Sequence, residues 1–342
     1  MLLSTMLPYS QDPTAGVDKV VEMERAGLDV VWVPEAYSFD AVSLMGFLAA
    51  RTERVQIGSG ILPLYSRTPT LTAMTAAGLD SLSGGRAILG LGASGPQVIE
   101  GFHGVPYDKP VARTREIIDI CRQVWRREKV QHEGIYTIPL PADRGTGLGK
   151  PLKIINHPLR ADIPIWVAAL GDKNLEMTAE VADGWLPFAV LPERMTEVFG
   201  PALAAGRAKR SPGLGPLQIT GGGVLALEEE MFEPARAMVR GIAALYIGGM
   251  GARGRNFYNT VFERQGYPDE AKLIQDLYLD GRKEEAAAAL PDSYLERTSL
   301  IGPPAFVKER IAALREVGVT HLHINPVSKD PAKVIEQVRE WL

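Results

Sequence analysis

The sequence predicts an α/β fold, a closed (β/α)8 barrel, from three observations. Short apolar runs alternate with longer helical patterns, the alternation repeats eight times, and no linker interrupts it. Eight parallel strands, each followed by a helix, are what such a barrel requires. A doubly wound open sheet is the other architecture the same alternation allows. Length alone would divide 342 residues into two domains, but barrels of this kind fill about 250 residues or more as one unit. A single domain over 1–342 is therefore expected.

The first strand is read at 2–7, followed by a helix from Thr14 to a stop at Gly27. DVVWVP (29–34), without polar alternation, is a strand buried on both faces. A helix near 38–52, a strand at 55–62 and a helix at 70–82 ending before Gly84-Gly85 come next. AILGLG (87–92) is the fourth strand, and a helix spans 111–129. Residues 130–160, rich in Pro, Gly and Lys, break the rhythm as a loop excursion. Strands at 163–169 and 184–190 follow, with helices at 173–182 and 192–210. The seventh strand is read at 217–227, weakened by three consecutive glycines. Residues 228–300 form a helical insertion, and a last helix, an eighth strand at 319–325 and a closing helix complete the chain.

Charge and cysteine content narrow the function classes. The net charge of −4 supplies no basic field for nucleic acid or anionic lipid. The one cysteine, Cys121, allows no intrachain disulfide and sits at helical spacing among Ile117, Ile118 and Val124, as a packed thiol would. The first residues lack a signal-peptide pattern, and no apolar run is long enough to span a membrane. A cytoplasmic enzyme with a small-molecule substrate, no nucleic acid and no membrane is expected.

Gly90-Leu-Gly92-Ala-Ser-Gly95 matches G-x-G-x-x-G directly after a strand. A dinucleotide fingerprint should open a helix at once, yet Pro96, Pro106 and Pro110 follow, and the next good helix is read more than a dozen residues on. The glycines instead let backbone approach a ligand at the C-terminal end of a barrel strand, or simply make a tight strand exit.

GSGIL with RTP (67–69), LDSLSGGRAILGLGASGPQV (79–98) and PIWVAALGDKNLEMTAEVADGWLP (164–187) resemble the luciferase-like monooxygenase superfamily, whose fold is a TIM barrel. FHGVPYDKPVARTREII (102–118), GLGKPLK (147–153) and ALYIGGMGA (244–252) resemble an actinobacterial branch that uses coenzyme F420. The resemblance runs through essentially the whole chain in order. It implies a non-prolyl cis peptide at Gly60-Ile61 behind the cofactor ring. A cis bond there would cost about 3–4 kcal/mol. It also implies that the phosphate-bearing side chain crosses Gly92, Ala93, Ser94, Gly95, Pro96 and Gln97, together with Ala169, Leu170, Gly171, Asp172 and Asn174. A turn feeding a helix there would offer free N–H groups to an anion. The residue Asp172 is expected to face away from a phosphate, or to be a plain helix N-cap. The luciferase branch carries an arginine near position 93 that grips the FMN phosphate, where this chain has Ala93.

For the chemistry, Glu35 ends the second strand where the family often places an ionisable group. In a closed pocket it would act as acid or base with a raised pKa, and otherwise it would cap a helix or pair with a cation. Tyr37, Tyr65 and Arg67 share that rim as candidate substrate ligands, or are ordinary loop residues. His321 and His323 share one face of the eighth strand. A metal would need a third ligand, and none is in view. His323 and Asn325 are the pocket-lining candidates, at positions where related sequences tend to be apolar. His103, His132 and His157 read as loop residues. GGMGARGRN (248–256), with Arg253 and Arg255, reads as a mobile clamp or as a helix–helix turn. The expected function is F420-dependent hydride transfer to or from a small organic substrate, by a homodimer as relatives commonly are. An FMN-dependent monooxygenase and a non-catalytic cofactor-binding barrel are the alternatives.

Overall fold

The last strand of the chain returns to the first. Leu2 pairs with His321 and Ser4 with His323, while His321 through Pro326 pair in turn with Thr220 through Leu225. The computed structural model describes all 342 residues. Its strands are β1 (Leu2–Met6), β2 (Val30–Val33), β3 (Gln56–Ser59), β4 (Leu62–Pro63), β5 (Ala87–Gly92), β6 (Ile165–Ala168), β7 (Gly184–Trp185), β8 (Gln218–Ala226), β9 (Leu300–Ile301) and β10 (His321–Pro326). Every pairing is parallel, in the closed order β1-β2-β3-β5-β6-β7-β8-β10, with β4 beside β5 and β9 beside β8 as short additions. Closure excludes the open doubly wound sheet.

Boundaries differ from expectation where proline or a sheet edge intervenes. AILGLG forms β5 as read, buried at all six positions. The sixth barrel strand, expected over 184–190, is only Gly184–Trp185, with Leu186 N still donating to Val167 O. Pro187 has no N–H to continue the ladder. The run expected as one strand over 55–62 splits into β3 and β4. The peptide expected to be cis between Gly60 and Ile61 is trans, since the only cis bond joins Ile138 and Pro139. The trans chain satisfies its neighbours on both sides. Gly60 N donates to Val33 O at 2.7 Å and Leu64 N to Gly92 O at 3.0 Å, so nothing opposes the ordinary trans preference.

The G-x-G-x-x-G segment also departs from its reading. A six-residue helix, Pro96–Gly101, opens directly after Gly95. Pro96 stands at its first position, where no N–H is needed. Residues 130–160 hold only the 3-10 turn Ala142–Arg144 and a His132–Ile138 bridge. Between β8 and β9 lie five helices, Glu229–Ala244, Phe257–Arg264, Pro268–Leu279, Lys283–Ala288 and Asp292–Thr298, with a π-turn at Leu245–Gly249. They bury a separate apolar cluster that includes Ile247, Phe262, Ile274 and Tyr294.

The barrel interior is filled by two tryptophans. Trp32 of β2 and Trp166 of β6 meet edge to face at 5.2 Å, and His321 of β10 packs on Trp166 at 4.8 Å. Rings of this size fit only where the facing strands carry no side chain. A Cβ on Gly58 would lie 2.4 Å from Trp32, and one on Gly184 2.1 Å from Trp166. Overpacking of this kind costs about 1–3 kcal/mol. Replacing Gly184 by alanine should therefore lower the urea-unfolding free energy by about that amount. An unchanged midpoint would mean that Trp166 is free to move.

Candidate active site

In a parallel barrel, ligand groups gather where the strands end, because the β-to-α loops all open on that face. Above the tryptophan floor stand His323 and Asn325, on the same face of β10. Ser4 Oγ lies 3.3 Å from His323 Nδ1, and Asn325 Nδ2 lies 3.5 Å from His323 Nε2. Asn325 Oδ1 accepts from Met6 N at 3.4 Å. An amide donor at Nε2 leaves the ring proton on Nδ1, so His323 reads as the neutral Nδ1–H tautomer. Burial pushes both His321 and His323 down to about 4. The two candidates therefore meet at the mouth as uncharged polar groups.

Glu35 is not a solitary carboxyl. Its two oxygens accept from Arg67 Nη1 at 2.5 Å and Nη2 at 2.8 Å, and Oε2 also accepts from Ala41 N at 2.8 Å. The pair is nearly closed to solvent, with side chains 7% and 14% exposed. Glu35 thus accepts the first N–H of the helix Ala41–Arg51, whose N-cap is Asp40, and ties the loop after β2 to the loop after β4. The isolated acid is replaced by the ion-paired alternative, because Arg67 and the helix N-terminus both converge on the carboxylate.

Tyr65 is equally committed. Its hydroxyl donates to Asp108 O at 2.8 Å, and Arg113 lies over its ring at 5.3 Å. With Arg67 it lines a recess of about 300 Å³ that reaches Val105, Arg113 and Tyr136. Tyr37 is the exposed one, 70% open and 6.2 Å from the Phe102 ring.

The two predicted tail-binding loops lie next to each other, since β5 pairs with β6. Ser94 holds φ +57, a left-handed conformation that costs a non-glycine residue about 1–2 kcal/mol. Ala93, Ser94 and Gly95 are half-buried, while Pro96 and Gln97 are exposed. In the second loop Gly171 is the N-cap of the helix Asp172–Val181 and supplies no side-chain cap. Asp172 is the first helical residue and not the cap. It turns to Arg264, 2.8 Å away. Ala169 is buried, Leu170 half-buried, and the Asn174 Oδ1 is buried with no partner. Of the two arginines in GGMGARGRN, Arg253 pairs with Asp276 at 2.7 Å, as a helix–helix turn would. Arg255 is exposed.

Of the aromatic groups around the opening, Phe188, Tyr246, Tyr258 and Tyr107 escaped sequence reasoning. Phe188, Tyr246 and Tyr258 meet at 4.4–5.0 Å, and Tyr65 meets Tyr107 at 5.2 Å. Burial first, then Tyr246, Glu35 and Tyr37, push the Tyr9 hydroxyl up to about 12. Tyr258 is raised by burial, then by Tyr246 and Tyr107. These neighbourhoods join loops after β1, β2, β5 and β7 with the insertion. Phe188 lay hidden in a run read as strand. Tyr246 and Tyr258 flank the glycine-rich motif, where only the arginines drew attention.

A filled parallel barrel, with polar groups collected at the strand C-termini under an aromatic rim, is the architecture of a barrel enzyme. The chain belongs to the luciferase-like monooxygenase family, whose sequence pattern matches residues 2–321. It is 41% identical to a Mycobacterium tuberculosis (strain H37Rv) protein provisionally named as a coenzyme F420-dependent oxidoreductase, over 99% of this chain and 97% of that one. It is 29% identical to the 5,10-methylenetetrahydromethanopterin reductase of Archaeoglobus fulgidus, over 92% of this chain and 90% of that protein. The solved coenzyme F420-dependent tetrahydromethanopterin reductase of Methanopyrus kandleri superposes with a TM-score of 0.81 at 23% identity, covering 100% and 98% of the two chains. That likeness is one of fold.

The two depressed histidines make stability depend on pH. Each is held near 4 in the folded protein against 6.5 for the free side chain. As pH falls below 6.5 the unfolded chain takes up protons that the folded one refuses, so stability present above 6.5 is lost progressively down to about 4. The melting temperature should fall through that window, and the double replacement His321→Gln, His323→Gln should flatten the fall. An equally steep fall in the double variant would place the titration elsewhere.

Proposed function

We propose that this protein is a coenzyme F420-dependent oxidoreductase that transfers hydride between the deazaflavin and a small organic substrate. The observation that carries the reading is the 41% identity to the F420-assigned mycobacterial relative over 99% of the chain. The residues present fit the cofactor. The helix N-terminus at Gly171, which no side chain caps, and the left-handed turn at Ser94 offer backbone N–H groups to a phosphate-bearing tail. The side chain of Ile61 fills the space where a Cβ on Gly92 would stand, 2.8 Å away, so Ile61 and Gly92 would back the ring through a trans bond.

When bound, the deazaflavin supplies a two-electron hydride couple. The chain's own residues orient, exclude water and manage a proton. His323 Nε2, neutral because burial holds its pKa near 4, presents a lone pair over the floor, shared with the Asn325 amide. That arrangement can accept a hydrogen bond from a substrate O–H or N–H. Glu35 and Arg67 serve as a rigid strut between two rim loops.

The reading extends to the whole chain, 1–342, as one domain and to a homodimer. Leu71, Met74 and Leu82 on the helix Pro69–Ser83 are 45%, 54% and 74% exposed, beside the exposed Leu159 of the excursion. A stripe of this kind is what a second copy would cover. Sedimentation equilibrium should give a dimer mass, and a strictly monomeric protein would remove that part of the proposal. No helix is long and apolar enough to cross a membrane.

The test of function is a fluorescence titration of the purified protein with F420 and, separately, with FMN. Saturable F420 binding with much weaker FMN binding is the expected outcome. The reverse would move the chemistry to flavin-dependent oxygenation on the same barrel. Binding of neither would leave a non-catalytic barrel.

A further inference from the structure

Two ion pairs at the mouth are matched internally. Glu35 is held by Arg67, and Arg113 by Asp108 at 2.6 Å, while His323 is neutral. Aromatic groups also face the opening, and two of them, Tyr246 and Tyr258, come from the insertion. The turn Leu245–Gly249 is π-helical, a geometry that leaves carbonyls without their usual i→i+4 partners. Asn256, 3% exposed, replaces those partners. Its Nδ2 donates to Tyr246 O and Ile247 O, both at 2.9 Å, and its Oδ1 accepts from Tyr258 N at 2.9 Å and Asn259 N at 3.2 Å. Asn259 Nδ2 adds bonds to Ile247 O at 3.1 Å and Ala271 O at 2.8 Å. One buried side chain therefore sets the backbone of both Tyr246 and Tyr258, and the two rings close on Phe188 at 4.4 and 5.0 Å.

We propose that Tyr246 and Tyr258, positioned by Asn256, are specificity-determining residues that select an uncharged substrate carrying a flat aromatic or heteroaromatic ring. The proposal rests on the hydride-transfer reading for its chemistry, though not for its test. A ring stacks on the half-buried aromatic wall with a geometric preference that a saturated ring of the same size lacks. A charged group would have to leave water to stack on a half-buried aromatic wall.

The test uses calorimetric titration of the full-length protein, with and without bound F420, against benzamide, cyclohexanecarboxamide and benzoate. Benzamide should bind about three- to tenfold more tightly than cyclohexanecarboxamide. It should bind about tenfold or more tightly than benzoate. Tyr246→Leu should bring the two amides to equal affinity. Asn256→Asp keeps the acceptor for Tyr258 N and loses the donation to Tyr246 O, so it should shrink the same ratio. A variant that merely unfolds would lose both amides together and show it by circular dichroism, and Tyr246→Leu then decides alone. Equal binding of the two amides by the wild type, no binding of benzamide, or a preference that survives Tyr246→Leu would overturn the proposal. Failure of F420 to bind is read in a separate titration and counts against the hydride-transfer reading only.

Discussion

Everything above the barrel floor depends on the contact between Trp32 and Trp166. Two indoles cannot share the interior of an eight-stranded barrel unless the strands between them carry no side chains there, and Gly58 and Gly184 meet that demand. Filling the centre turns the barrel into a packed plug, so a ligand can enter only from the end where the loops emerge. The same packing fixes the height of His323 and Asn325, since β10 is held against Trp166 through His321. Gly222 completes the arrangement. It sits at φ +130, and a Cβ there would lie 2.2 Å from His323 O, so β8 and β10 pack close enough to seat the histidine.

On that floor the protein ties its rim together with ion pairs. The Glu35–Arg67 pair joins two loops, and the Asp172–Arg264 contact ties a third loop to the insertion. Such pairs add modest net stability, because desolvation offsets most of the attraction. Their consequence is geometric. They hold rim segments that proline and glycine would otherwise leave loose, and they leave hydrogen-bonding and aromatic surface to meet a substrate. A hydride couple needs orientation and water exclusion more than a strong acid, and the mouth is suited to that task.

Much of the fold was legible because the hydrophobic period is strong. AILGLG reads as a buried strand with no other plausible state, and the helix at 69–83 is bounded by Pro69 and Gly84 in a way local chemistry dictates. The miss at 184–190 has a local cause as well. Pro187 ends the ladder and releases Phe188 into the rim, a signal present in the sequence but outweighed by the apolar run. The candidate site was legible by segment and not by role. Glu35, Tyr65 and Arg67 were found as rim residues, yet their partners Arg67, Asp108 and Ala41 lie up to 43 positions away, and no local pattern reports such pairings.

The sequence by itself determined the eight-unit barrel, the helical insertion, the family, and the loops that end the fourth and fifth barrel strands, because each is written in short-range periodicity or an ordered set of motifs. Tertiary structure alone decided that Gly60–Ile61 is trans, that Glu35 is paired with Arg67, that His323 is neutral, and that Tyr246 and Tyr258 pack together. Each of these depends on groups brought together from distant parts of the chain, and on desolvation that exists only once the barrel has closed.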